Sequence, residues 1–341
     1  MTHMKRLTML ILLLAAMAVN VQGRKISYSV EKIWGDGQHC AFTSLIEFKG
    51  RYYCAFREGE SHIFDKNGNA EGKIRVLVSG NGRKWKSAAL IGKDGIDLRD
   101  PKLSVTPDGR LMVSLGGSIY REGKFKSAHS HVTFSNDGKT FSVPEPVNIN
   151  RDSDSNRNWV WRVTWQGNTG YAVNYEGKNE IFLLSTEDGI NYDVIRNFEF
   201  TEFPNESTIR FLNDGRMSMI VRRERGERHA FWGVSQAPFT VWEWTELPMY
   251  IGGPDHIVLK DGKIIAGGRS LFSPKSPKTV IFSVDPEKGT FHERLVLPSG
   301  GDTSYPGFLV VGKELWISYY STHETPNASI YLAKIPLSYF E

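Results

Sequence analysis

Cysteine is scarce in this chain. Two residues, Cys40 and Cys54, occur in 341, and neither a Cys-x-x-Cys nor a His-x-x-x-His spacing accompanies them. A small disulfide-stapled fold is excluded, and a metal site has no sequence support, so neither metal nor cofactor is expected. Long apolar runs are scarce too. The longest, thirteen residues from Leu7 to Val19, is short for a membrane span. Lys5 and Arg6 precede it and Val21-Gln-Gly23 ends it in a small residue, the order of a secretory leader over residues 1–23. No cysteine follows to take a lipid anchor. The mature chain is therefore expected to be secreted or periplasmic, without a membrane span. Excess charge is the third scarcity. The formal net charge is +4, Lys5 and Arg6 included, and basic residues are scattered, so no nucleic-acid partner is expected. No charge run or low-complexity stretch interrupts residues 24–341, which read as one domain, expected to act as a monomer.

What is plentiful is turns and aromatics: 33 Gly, and 12% Phe, Trp and Tyr. The stretch Ser185-Thr-Glu-Asp-Gly-Ile-Asn-Tyr192 combines a hydroxyl, an acid, a glycine and an aromatic in the order a tight hairpin needs. Hydroxyl and carboxylate bond nearby N–H groups, Gly189 takes positive φ, and Tyr192 plugs the core. Relatives lie upstream, Ser79-Gly-Asn-Gly-Arg-Lys-Trp85 and Ser135-Asn-Asp-Gly-Lys-Thr-Phe141, each one residue shorter. Degenerate versions run from Ser235 to Trp242 and from Ser283 to Phe291. The leading serines at 79, 135, 185, 235 and 283 are 56, 50, 50 and 48 residues apart, the period of an array or propeller.

A second series interleaves with the first. Glycine-centred turns sit in Phe48-Lys-Gly-Arg-Tyr52, Pro107-Asp-Gly-Arg-Leu111, Gln166-Gly-Asn-Thr-Gly170, Asn213-Asp-Gly-Arg-Met217, Lys260-Asp-Gly-Lys-Ile264 and Val311-Gly-Lys-Glu-Leu315. Their flanks alternate as strands do. Two hairpin signals per repeat make a four-stranded antiparallel unit, and six units make an all-β, six-bladed β-propeller, whose closure leaves only short edges. In the first hairpin Cys40 and Cys54 are not facing partners, which favours two small buried residues over a disulfide.

Polar residues end several strands. Arg57 opens the loop Arg57-Glu-Gly-Glu-Ser-His62, and Arg99 and Asp100 precede Pro101. Arg162 lies between Trp161 and Trp165, and either stacks on aromatics or points into a pocket.

The repeated turns, together with Asn205-Glu206 followed by Arg222, then Gly267-Gly-Arg269, then Gly301-Asp-Thr-Ser-Tyr305, resemble the sialidases (neuraminidases) over nearly the whole mature chain. The resemblance implies an exo-acting, retaining glycosidase on glycans or glycoconjugates ending in sialic acid. Arg222 and Arg269 would clamp the substrate carboxylate with forked hydrogen bonds. Tyr305 would be the nucleophile and Glu206 its general base, because a neutral nucleophile avoids repulsion from that carboxylate. The proton donor would come from the first blade, with Asp65 the candidate and His62 close behind.

The sequence departs from the pattern at one arm of the clamp. Where the family carries its first arginine, this chain has Ala41, in Cys40-Ala-Phe-Thr43. Arg57, Arg99 or Arg162 is a candidate replacement. His39, Trp161 and His323 have no place on the sialidase pattern. Two other readings therefore stand beside the first: a propeller cleaving a different glycoside or uronic sugar, with His62 or Asp100 as acid/base, and a propeller that binds glycans without cleaving them.

Overall fold

The computed structural model describes residues 16–21, 24–35, 37–271 and 277–341. It is an all-β, six-bladed propeller. Blade I is His39–Phe48, Arg51–Gly59, Lys73–Ser79 and Lys86–Ile91. Blades II to V follow in chain order, their innermost strands being Asp97–Val105, the broken pair Trp159–Val160 and Thr164–Gln166, Pro204–Phe211, and Gly252–Val258. Blade VI takes three strands from the C-terminal region, Thr303–Val311, Glu314–Ser321 and Ser329–Pro336, and its fourth, Arg24–Trp34, from the other end of the chain. That exchange closes the ring. Ala16–Val21 adds an extra edge strand beside Arg24–Trp34. The rest of the expected leader, residues 1–15, 22 and 23, lies outside the described residues.

The second and third strands of the blades are rich in apolar residues because both their faces are buried, whereas the outermost strands are largely exposed. In blade III, Ala172, Phe182 and Leu184 pack toward Met112 and Val132 of blade II, while Val173, Ile181 and Leu183 pack toward Ile209, Met217 and Met219 of blade IV. Blade V repeats the alternation: Ile264, Ala266 and Phe282 face blade IV, and Ile265 and Ile281 face blade VI. The core is thus divided among the gaps between blades.

All six glycine-centred turns form, with Gly50, Gly109, Gly167, Gly215, Gly262 and Gly312 at positive φ. The hydroxyl–acid turns close the third and fourth strands. In blade I the Ser79 hydroxyl accepts from Gly82 N at 2.9 Å, and in blade II Asp137 Oδ1 accepts from Lys139 N and Thr140 N. The blade III turn starts one residue later than the sequence reading placed it. The accepting hydroxyl is Thr186, not Ser185, bonded by Gly189 N at 2.9 Å, while Ser185 stays in strand pairing. The three turns are therefore equal in length. Cys40 and Cys54 are both fully buried thiols, and burial pushes the Cys54 thiol up to about 12.

One irregularity recurs around the ring and builds the site. In five blades the innermost strand bulges, leaving two residues outside the pairing: Phe42-Thr43, Asp100-Pro101, Asn205-Glu206, Gly253-Pro254 and Tyr305-Pro306. In blade III the same strand breaks between Val160 and Thr164. Phe42, Asp100, Gly253 and Tyr305 lie at φ of 67°, 50°, 57° and 53°. A bulge re-aims a side chain, and left-handed backbone on a non-glycine residue marks a conformation held by its surroundings. Proline fits the second position three times because a bulged N–H has no ladder partner to lose.

Candidate active site

Bulged residues from four of these blades converge on a pocket of about 320 Å³ at one end of the ring. Phe42, Asp100, Asn205, Glu206 and Tyr305 line it together with His62, Arg99, Arg157, Arg222 and Arg269. An aromatic wall completes it. Tyr120 and Phe125 stand on the long second hairpin of blade II, and Trp159 stacks on Tyr175 at 6.3 Å.

At its centre the Tyr305 hydroxyl donates to Glu206 Oε1 at 2.5 Å. Arg222 Nη1 donates to the Tyr305 oxygen at 3.1 Å and pairs with Glu206 Oε2, while Nη2 pairs with Glu224. Gly253 N adds a hydrogen bond to Glu206 Oε2 at 3.0 Å. Burial alone would raise the Glu206 carboxyl, but Arg222 and the tyrosine hydrogen bond outweigh it and hold it below the usual range. Burial, reinforced by the Glu206 charge, pushes the Tyr305 phenol well up. The proton therefore rests on Tyr305, aimed at a charged carboxylate.

A second cluster borders the first. Asp302 Oδ2 accepts from His62 Nδ1 at 2.6 Å and His39 Nε2 at 3.1 Å; Oδ1 accepts from Tyr320 at 2.8 Å and Arg269 Nη2 at 3.1 Å. Burial works against the Asp302 charge, but the two histidine hydrogen bonds and Arg269 overcome it and keep the carboxyl far below its usual range. With Nδ1 held, Nε2 of His62 is the ring nitrogen left for a ligand. His39, His62 and Asp302 offer donor atoms within 4.8 Å of one another, a set that by type suits a divalent cation. Yet Arg269 already neutralises this carboxylate and Arg99 donates to the His62 carbonyl at 3.1 Å, so a dication would meet two guanidinium groups. The cluster fits proton handling better.

Seven of the ten residues singled out from the sequence line the pocket: His62, Arg99, Asp100, Glu206, Arg222, Arg269 and Tyr305. Three do not. Asp65 caps its own turn, accepting from Asn67 N and Asn69 N at 2.8 Å, and those backbone bonds, Asn69's first, hold it below its usual range, the reverse of a proton donor. Arg57 is buried against Asp97, at 3.0 and 2.8 Å, and ties down the carbonyls of Ser61 and Ile63. Arg162 pairs with Asp255 at 3.0 Å among the inner strands. Of the three arginines offered for the missing arm, Arg99 alone lines the pocket. Asp302, Glu224, Tyr320 and Arg157 went unnoticed in the sequence. Asp302 carried a signal, standing three residues before Tyr305 in the same blade-leading stretch.

Gly253 is indispensable to this geometry. A Cβ built there would lie 2.5 Å from Tyr305 Cδ2, on a backbone at φ 57°. Gly253→Ala is expected to displace the phenol and cost about 10²-fold in any activity the pocket supports. Ligand affinity alongside turnover would check it; unchanged turnover would contradict the placement.

No protein-family model matches the sequence, and no curated protein matches it. Solved structures do. A protein of unknown function from Dyadobacter fermentans superposes with a TM-score of 0.73 at 18% identity, over 90% of this chain and 99% of that one. A Penicillium chrysogenum alpha-L-arabinanase complexed with arabinobiose matches at 0.66 and 13%, over 95% and 99%. A Trypanosoma rangeli sialidase matches at 0.66 and 10%, over 87% of this chain and 55% of the sialidase. The likeness is one of fold. Function must be argued from the site.

Proposed function

We propose that this protein is a retaining glycoside hydrolase that removes a terminal sugar bearing a carboxylate. The observation that carries the reading is the Tyr305–Glu206 hydrogen bond of 2.5 Å, held on both sides by Arg222. Glu206 takes the phenol proton and the Tyr305 oxygen attacks the anomeric carbon. The bond from that carbon to the leaving oxygen breaks as His62 delivers a proton, its imidazole oriented by Asp302. Water then attacks the anomeric carbon with His62 taking its proton, the tyrosyl–sugar bond breaks as Glu206 returns its proton to the Tyr305 oxygen, and the sugar leaves with its original anomeric configuration. Arg99, Arg222 and Arg269 favour an anionic sugar, and burial raises the Asp100 carboxyl beside them. Sialic acid is the first candidate, on the resemblance of the motifs.

A second reading shares the machinery but changes the sugar. Ala41 is fully buried in the core, so it contributes no arm, and Arg99 enters from blade II instead. A carboxylate placed differently on the ring, as in a uronic acid, suits that altered clamp. The test is a panel of fluorogenic α-sialoside, glucuronide and arabinofuranoside, with the first-formed anomer read by proton NMR. Release of sialic acid or of a uronic acid with retention is expected. Cleavage of the arabinofuranoside alone would overturn the anionic-sugar assignment. Glycan binding without turnover of any substrate would leave a lectin-like propeller in its place.

A further inference from the structure

Lys102 has no task in the scheme above, yet its position is unusual. It follows the bulged pair Asp100-Pro101 on the innermost strand of blade II and is only 2% exposed. Its ammonium finds no hydrogen-bond partner among the described residues. Nζ lies instead over two rings, 4.3 Å from the Trp161 centroid and 5.5 Å from the Tyr305 centroid. Burying a cation without an acceptor is costly, and a leucine or methionine would fill such a space at lower cost. Packing therefore gives no reason for a lysine.

We propose that Lys102 is a positioning residue for Tyr305, its ammonium stabilising the phenolate that forms when Glu206 takes the phenol proton. The inference rests on the reading of Tyr305 as nucleophile. A cation over the face of an aromatic ring is attracted to it, and more strongly when both are desolvated and the ring gains negative charge. The proton moves from the Tyr305 oxygen to Glu206 Oε1, the oxygen's electron pair forms the bond to the anomeric carbon, and Lys102 keeps its own proton throughout. Arg222 supports the phenolate at its oxygen, and Lys102 supports it through the ring.

The charged and titratable groups facing Lys102 are Asp100 on its own strand, Arg162 from blade III, Glu206 from blade IV, Asp255 from blade V and Tyr305 from blade VI. Burial pulls the ammonium down to about 8, against the opposing pull of Asp100. The sign follows directly. Below about pH 8 the cation is present and the phenolate is supported; above it the support fades.

The experiment places trifluorotyrosine, whose phenol is more acidic than tyrosine's, at position 305 and follows its fluorine resonance against pH, with Lys102 intact and in the Lys102→Met background. Loss of the cation is expected to raise the ionisation pH of the probe by about one unit or more. In the unlabelled enzyme, Lys102→Met is expected to lower kcat/KM about 30-fold and abolish the decline near pH 8, while Lys102→Arg keeps activity and moves that decline upward. Melting temperatures check folding, and Met, which removes an unpartnered buried charge, should not lower the value. An unchanged probe titration overturns the proposal, as does an alkaline decline that stays in place in both variants. The fluorine measurement needs no substrate, so it stands even if the glycosidase reading fails.

Discussion

Tyr305→Phe and Glu206→Gln are each expected to lower kcat/KM on the cleaved glycoside about 10³-fold, and the double variant is expected to lose no more than either single one. The two side chains share one proton over 2.5 Å, so neither works without the other. A phenylalanine leaves no oxygen to attack. A glutamine cannot take the proton, and its amide also disturbs the pairing with Arg222. Groups that act as a unit show such non-additivity, whereas independent contributions would multiply to about 10⁶. Substrate affinity should survive in the Tyr305 variant, since Arg99 and Arg269 are untouched, and calorimetric titration would separate binding from turnover. If both single variants hydrolyse substrate at wild-type rates, Tyr305 is a core tyrosine.

The contrast between turns and site shows which physical signals a sequence carries. Hairpin turns are local: a glycine at positive φ or a carboxylate bonding N–H groups two and three residues on leaves its mark within a short stretch. All six glycine turns were legible for that reason. The one-residue slip at Ser185 arose because Ser185 and Thr186 are both hydroxyl residues, and only strand register decides which faces the turn. The ordered residues Glu206, Arg222, Arg269 and Tyr305 were legible through resemblance, and the ring brings them together. Charged neighbours in one loop could not be sorted by spacing. Asp65 and His62 are three residues apart, yet one caps a turn and the other enters the pocket. Arg57 and Arg99 likewise bind the same Asp97, but only Arg99 reaches past it to the pocket. Lys102 was invisible, because a lysine after a proline gives no hint of the rings above it.

Arg57→Met is expected to destabilise the fold by about 3–5 kcal/mol, which urea denaturation would measure from the shift in midpoint at constant slope. Asp97 has no exposed surface, and its Oδ1 accepts from Arg57 Nε, Arg57 Nη2 and Gly72 N at 3.0, 2.8 and 2.6 Å. Removing Arg57 leaves that carboxylate buried with Arg99 at 3.5 Å as its one remaining paired cation among the described residues. Replacing both partners, Arg57→Met with Asp97→Leu, should restore most of the stability, because two apolar side chains need no solvation. Activity should not return with it. Arg57 also donates to the carbonyls of Ser61 and Ile63, the residues on either side of His62, so the double variant loses the anchor of the loop that presents the imidazole to the pocket. A double variant that is stable and inactive would separate the two roles of Arg57, holding the blade and aiming His62. One that is stable and fully active would show that the loop keeps its shape without this arginine, and would remove it from the site.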